Sequence, residues 1–175
     1  ICIVSKIAVG TFYHHFSSKQ DLVSAMNEEI NQSLSTYYQS LEKLFLADVV
    51  LQVVDFQIES YMSYGVDLIA KMYSGMAFSG TMTFVPEDQF LFQAFKDALS
   101  RGQNEGQFSR QFSLDDLVET VFSLFYLNGV LWCNHHDIRF LKVNARQKIE
   151  SFLQMISSKP ISILTLTNTD QDHLS

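Results

Sequence analysis

The chain holds 175 residues, 47% of them hydrophobic and 18% charged, with two Pro and seven Gly, which suits one sizeable core or two small ones and argues against disorder. Twelve Lys plus Arg against nineteen Asp plus Glu leave a formal charge of -7, so bulk electrostatics oppose nucleic acid and any DNA contact must come from a local patch. Two cysteines, Cys2 and Cys133, build no disulfide framework, and a cytoplasmic protein is the expectation.

The chain opens on Ile1-Cys-Ile-Val-Ser5 without an initiator Met, which reads as a processed end or a cut into a longer protein. It lacks the charged-then-apolar order of a signal peptide. Residues 7–16 have the composition of a short helix, and Ser17-Ser18 makes a tight turn after it. From Lys19 the apolar positions Leu22, Met26, Ile30, Leu34, Tyr37, Leu41 and Leu44 recur every three or four residues. That spacing predicts one long amphipathic helix, with Ser18 as N-cap and Asp21 in the first turn. Residues 48 to about 77 are helical in composition but apolar on more than one side, and Gly65 and Gly75 predict a division into two helices.

A connection over 79–86 ends at Pro86, and a helix over 87–101 follows, with Phe90, Leu91, Ala94, Phe95, Ala98 and Leu99 on its stripe and Gly102 at its end. After a turn over 102–108, Ser113 caps a helix over 114–132 that carries Asp115 and Asp116 in its first turn. The most apolar run, 121–132, is interrupted by Ser123 and Asn128 and falls short of the roughly 20 residues a membrane span needs. Ala145, Ile149, Phe152, Leu153 and Ile156 define a last amphipathic helix that Pro160 ends. The fold class is therefore all-α, with a head part over 1–18, a helical regulatory domain over 19–157 and a polar tail over 158–175, expected to be mobile.

The densest motif lies at the start. Val9-Gly-Thr-Phe-Tyr-His-His-Phe16, followed by Ser-Ser-Lys19-Gln-Asp-Leu22, resembles the end of the helix-turn-helix in the tetracycline-repressor (TetR) family of bacterial transcription regulators. The family pattern, Gly-Thr-aromatic or Leu-Tyr-x-x-Phe-x-x-Lys-x-x-Leu, is met at every fixed position. Ala8 stands where the family usually has Ser, and Ser5-Lys6 where it usually has Ala-Gly; the family's first helix and most of its second would lie before Ile1. The segment 99–108 with the apolar helix after it resembles these regulators more loosely.

The residues themselves have a matching logic. Phe12 and Phe16, four apart, anchor the short helix and leave Val9, Thr11, Tyr13 and His14 on other faces. Gly10 lets backbone approach a phosphate, Tyr13, His14 and His15 can donate to phosphate oxygens, and Lys19 at the next helix N-terminus is a further anion contact. The resemblance implies that Val9, Gly10 and Thr11 touch base edges. It also implies a homodimer on a palindromic operator, released by a small molecule held in the helical domain.

In that domain Tyr37, Tyr38, Phe56, Tyr61, Met62, Tyr64, Met72, Tyr73, Met76, Phe92 and Phe95 supply an aromatic and Met-rich interior. Each alone reads as core packing; as a set they can line an adaptable apolar pocket. Asp55 and Glu59, four apart, either hold a cationic ligand there or form a solvated face. The helix over 114–132 is apolar on too many sides for a monomer. It predicts a homodimer through that helix and the last one, with Phe125, Leu127, Leu131, Ile149, Phe152 and Leu153 at the interface.

Neighbouring His14-His15 and His135-His136 point about 100° apart on a helix and do not readily share an ion, and Cys133 with His136 lacks a second pair, so no metal is expected. No phosphate loop, nucleophile elbow or paired catalytic constellation is present, so no enzyme and no cofactor are expected. The expected partners are operator DNA, an apolar or cationic small-molecule effector and a second copy, with no membrane. The alternative is a helical small-molecule-binding or dimerisation module without a working DNA-binding head.

Overall fold

The computed structural model describes residues 19–41, 44–78 and 89–158, with side chains over 21–41, 44–74 and 89–158. The expected DNA contacts Val9, Gly10, Thr11, Tyr13, His14 and His15, the side chain of Lys19 and the tail beyond 158 lie outside those residues.

Helix α1, Lys19–Gln39, buries Leu22, Val23, Met26, Ile30 and Leu34, the stripe its apolar spacing dictates. It stops a turn and more short of the expected Leu44. Ser40 and Leu41 hydrogen-bond back to the carbonyls of Tyr37 and Tyr38 at 2.9 and 3.0 Å, and the Ser40 hydroxyl donates to the Tyr37 carbonyl at 2.6 Å. These tight bonds close the last turn and satisfy carbonyls that a longer helix would have used. Leu41 is still buried, whereas Leu44 and Phe45 are exposed.

Helix α2, Leu46–Tyr64, is buried on most of its circumference and packs against α1 and the later helices. Gly65, at φ +84 and ψ 157, then turns the chain, a conformation open to glycine alone at little cost. Helix α3, Val66–Phe78, follows at once and runs through Gly75, so the expected division into two helices falls at Gly65.

Helix α4, Phe90–Asn104, starts with its stripe at Phe90, later than the expected 87, and ends later than the expected 101. Its first N–H, of Phe90, is capped from outside by Asn31 Oδ1 of α1 at 3.2 Å. Gly102 does not end it. A Cβ there would stand 2.1 Å from the Phe108 ring, so Gly102 is needed for close approach, and the reversal comes at Gly106 with φ +73.

Helix α5, Leu114–His135, is capped as expected, Ser113 Oγ accepting from Asp116 N at 3.1 Å. His136 in the left-handed region closes it. A π-helical run, Phe140–Ala145, leads directly into α6, Arg146–Ile156; no sequence pattern had announced the wide turn. Past Ile156, Ser157 is extended and bridges Phe108, with Ser109 N bonded to the Ile156 carbonyl at 2.7 Å. Gln107 Oε1 also accepts from Leu46 N at 3.0 Å, so one loop ties together the start of α2 and the ends of α4 and α6. Among the described residues the structure is all-helical apart from that single bridge, and no helix is long and apolar enough to cross a membrane.

Candidate functional site

Helix α2 carries polar residues on two opposed faces. On one, Asp55 and Glu59 look toward α6 and the π-run. Arg146 Nε reaches Asp55 Oδ1 at 3.1 Å, Arg146 Nη1 reaches Glu150 at 3.0 Å, and Lys142 Nζ reaches Glu59 at 3.2 Å. Burial raises the Asp55 carboxyl, and the Arg146 guanidinium beside it pulls it back. The chain's own cations hold both acids, with Asp55 30% and Glu59 58% exposed, which is nearer to the solvated face of the two alternatives read from the sequence.

The other face is closed. Gln57 and Tyr61, one turn apart on α2, meet Tyr73 of α3, and all three are buried, at 3, 5 and 6% exposure. The Tyr61 ring lies edge-on to Tyr73 at 6.1 Å and against Phe125 at 5.8 Å, while Tyr126 of α5 meets Tyr73 edge-on at 4.9 Å. Burial pushes the Tyr61 phenol up to about 12, with the Tyr73 and Gln57 side chains lying near enough to draw it down. Burial also lifts the Tyr73 phenol well above its ordinary range, and pushes the half-buried Cys133 thiol up to about 11. Yet Gln57 Oε1 and the Tyr73 hydroxyl complete no hydrogen bond of proper distance and angle among the described residues. Such a group costs about 1–3 kcal/mol, so two together mark this spot within an otherwise apolar core.

Position 129 explains how Tyr73 fits. A Cβ on Gly129 would stand 2.1 Å from the Tyr73 hydroxyl, so α5 makes room for the phenol by lacking a side chain there. Asn128 beside it is also buried, its amide donating to the Leu124 carbonyl at 2.6 Å and its Oδ1 accepting from Lys148 at 3.3 Å.

The expected pocket residues divide. Tyr61, Met72, Phe92 and Phe95 are core residues, with Phe92 edge-on to Phe122 at 5.9 Å. Tyr37 and Phe56 stack at 4.5 Å between α1 and α2, and Tyr37 donates to Gln52 Oε1 at 2.7 Å. Tyr38 donates to Asp97 Oδ2 at 2.6 Å and sets its ring edge-on to Phe90 at 6.0 Å. Met62 faces solvent, and Glu59 is paired on the far side of α2. The Met76 side chain lies outside the described residues. Gln57, Tyr126 and Gly129 had been passed over, although one amide among Val54, Ile58 and Tyr61 on a buried face was a readable signal.

The expected interface residues divide too. Phe125, Ile149 and Leu153 turn into the chain's own core, at 1% exposure or less. Leu127, at 55%, and the half-buried Leu131 lie toward solvent, joined by Met155 at 80%, while Phe152 is half-buried against the core. Elsewhere, an open groove of about 510 Å³ between α1 and α4 is lined by Asn31, Gln32, Ser35, Thr36, Phe90 and Gln93. Among the described residues no three His, Cys, Asp or Glu side chains converge on a metal position.

Comparison with protein-family models, with curated proteins and with solved structures gives no match.

Proposed function

We propose that this chain belongs to a ligand-responsive, DNA-binding transcription regulator of the TetR kind, acting as a dimeric repressor. The observation that carries the proposal is the motif over 9–22, every fixed position of which agrees with the family pattern. The geometry of α1 supports it. Its first residues are the Lys19 to Leu22 end of that motif, and its far half is tied to the core by the Asn31, Tyr37 and Tyr38 hydrogen bonds. A rigid element of 21 residues spans about 30 Å, so a change in the core that tilts it displaces the head at its other end.

The outward face of α5 and α6, with Leu127, Leu131 and Met155, suits a four-helix bundle formed with a second copy. Two heads related by such a two-fold axis read an inverted repeat, Tyr13 and Lys19 contacting phosphates and Thr11 the bases. The effector enters the helical domain and weakens operator binding.

Selection from a random duplex library, with protein made from the whole reading frame that contains this chain, tests the proposal. The expected result is an enriched inverted repeat whose affinity falls steeply with salt. No enrichment overturns the regulator and leaves a helical small-molecule-binding or dimerisation module. An enriched single half-site overturns the dimer.

A further inference from the structure

From the groove between α1 and α4 we infer the place and the chemical class of the effector: a neutral, hydroxyl-rich compound of the size of a disaccharide, bound against α1 outside the core. Its role rests on the regulator reading, though its binding does not. The interior expected to hold an effector is packed, with Tyr61, Met72, Phe92 and Phe95 all buried in the core. The groove has a volume of about 510 Å³, a size that suits a small molecule. Two ties hold its walls. Asn31 Oδ1 accepts from Phe90 N at 3.2 Å, and two turns further along both helices the Tyr38 hydroxyl donates to Asp97 Oδ2 at 2.6 Å. The helices therefore run side by side in one direction over about 10 Å, and between the ties Gln32, Ser35 and Thr36 of α1 share the groove with Gln93 of α4.

The lining sets the class. No charged side chain lines the groove among the described residues, and Glu28 at its rim accepts from Gln32 Nε2 at 3.2 Å, so an ion placed there gives up hydration without a counter-charge. A purely apolar body is no better suited, because it strips water from amides and hydroxyls that need partners. Those side chains both donate and accept, as do the neighbouring hydroxyls of a sugar. Asn31 uses its Oδ1 on α4 and keeps the Nδ2 hydrogens for a ligand. Half-buried Phe90 offers one apolar surface to the C–H face of a sugar ring. A compound bonded to α1 on one side and to Gln93 on the other fixes the spacing of the two helices. It thereby acts on the element whose first turn belongs to the 9–22 motif.

Calorimetric titration with maltose, cellobiose, glucuronate, glucosamine and cyclohexanol tests the class. At least one of the two disaccharides is expected to bind in the millimolar range or tighter, and about ten-fold more tightly than the anionic, cationic and mainly apolar compounds. Ser35→Ala and, independently, Gln93→Ala are expected to weaken that binding about five-fold, the loss of one hydrogen bond each. Ser35→Phe, which fills the groove, is expected to abolish it. Melting curves and the emission of buried Trp132 verify that each variant is folded. Binding of neither disaccharide, equal or tighter binding of a charged compound or cyclohexanol, or full binding by folded Ser35→Phe overturns the assignment. Titrating operator DNA with and without the bound disaccharide tests the role separately. Unchanged DNA affinity refutes its action as effector while the site stands, and a chain that selects no operator but binds the disaccharide loses the regulator reading alone.

Discussion

The two polar faces of α2 received opposite treatment from the fold. Toward α6 the acids Asp55 and Glu59 lie at the protein's edge, and flexible Arg146 and Lys142 side chains reach them while keeping contact with water. Toward α3 and α5, Gln57 and Tyr61 are sealed in and share their enclosure with another phenol rather than with a counterpart. At an edge a polar group finds a partner at little cost, because long side chains and water adapt. Inside, geometry must provide the partner. A polar group that stays buried without one costs stability that a conspicuous pair of surface charges does not.

Gly129→Ala should have the largest effect on this contrast. Its methyl meets the Tyr73 hydroxyl at 2.1 Å in the closed interior, and overpacking there costs about 2–3 kcal/mol in chemical denaturation. In a Tyr73→Phe background the nearest atom is gone, so the cost falls. A penalty equal in both backgrounds would show that the hydroxyl does not press on α5.

Next comes Arg146→Ala, which strips Asp55 and Glu150 of their shared cation and costs about 1–2 kcal/mol near neutral pH. The pH dependence follows from the raised Asp55 carboxyl. A folded pKa above the unfolded value favours folding at low pH, and that contribution is lost as pH rises through the folded value. Without Arg146 the carboxyl moves higher still, so the penalty is smallest below 3.8, the ordinary carboxyl value, and grows as pH rises. A penalty independent of pH would mean that packing of the Arg stem, not charge, joins α2 to α6.

Lys142→Ala should do least. Its pair with Glu59 is 44 and 58% exposed, which puts the loss at about 0.5 kcal/mol or less and makes it fade in salt. A loss as large as that of Arg146→Ala would remove the distinction between the wet and dry ends of the seam.

Much of the helical framework was legible because period and punctuation are local. The stripe from Leu22 to Leu34, the break at Gly65 and the Ser113 cap each follow from residues within a turn or two. The candidate site was less legible. Tyr61 and Met72 stood in the expected interior, but Met62 on the same helix as Tyr61 faces solvent, since a helix apolar on several sides does not declare which side meets its neighbours. Likewise Phe125 and Leu127, both expected at the interface, ended on opposite sides of α5.

Sequence alone determined that the described residues are helical, roughly where each main helix lies, and which short string gives the chain a resemblance to DNA-binding regulators. These are properties of neighbouring residues and of hydrogen bonds closed within a few positions. Tertiary structure alone decided that Gly102 and Gly129 serve close approach, that Arg146 reaches across 91 positions to Asp55, and that Gln57 and Tyr73 are both buried near Tyr61. Each of those depends on which helix faces meet, and that is settled by packing the whole core at once.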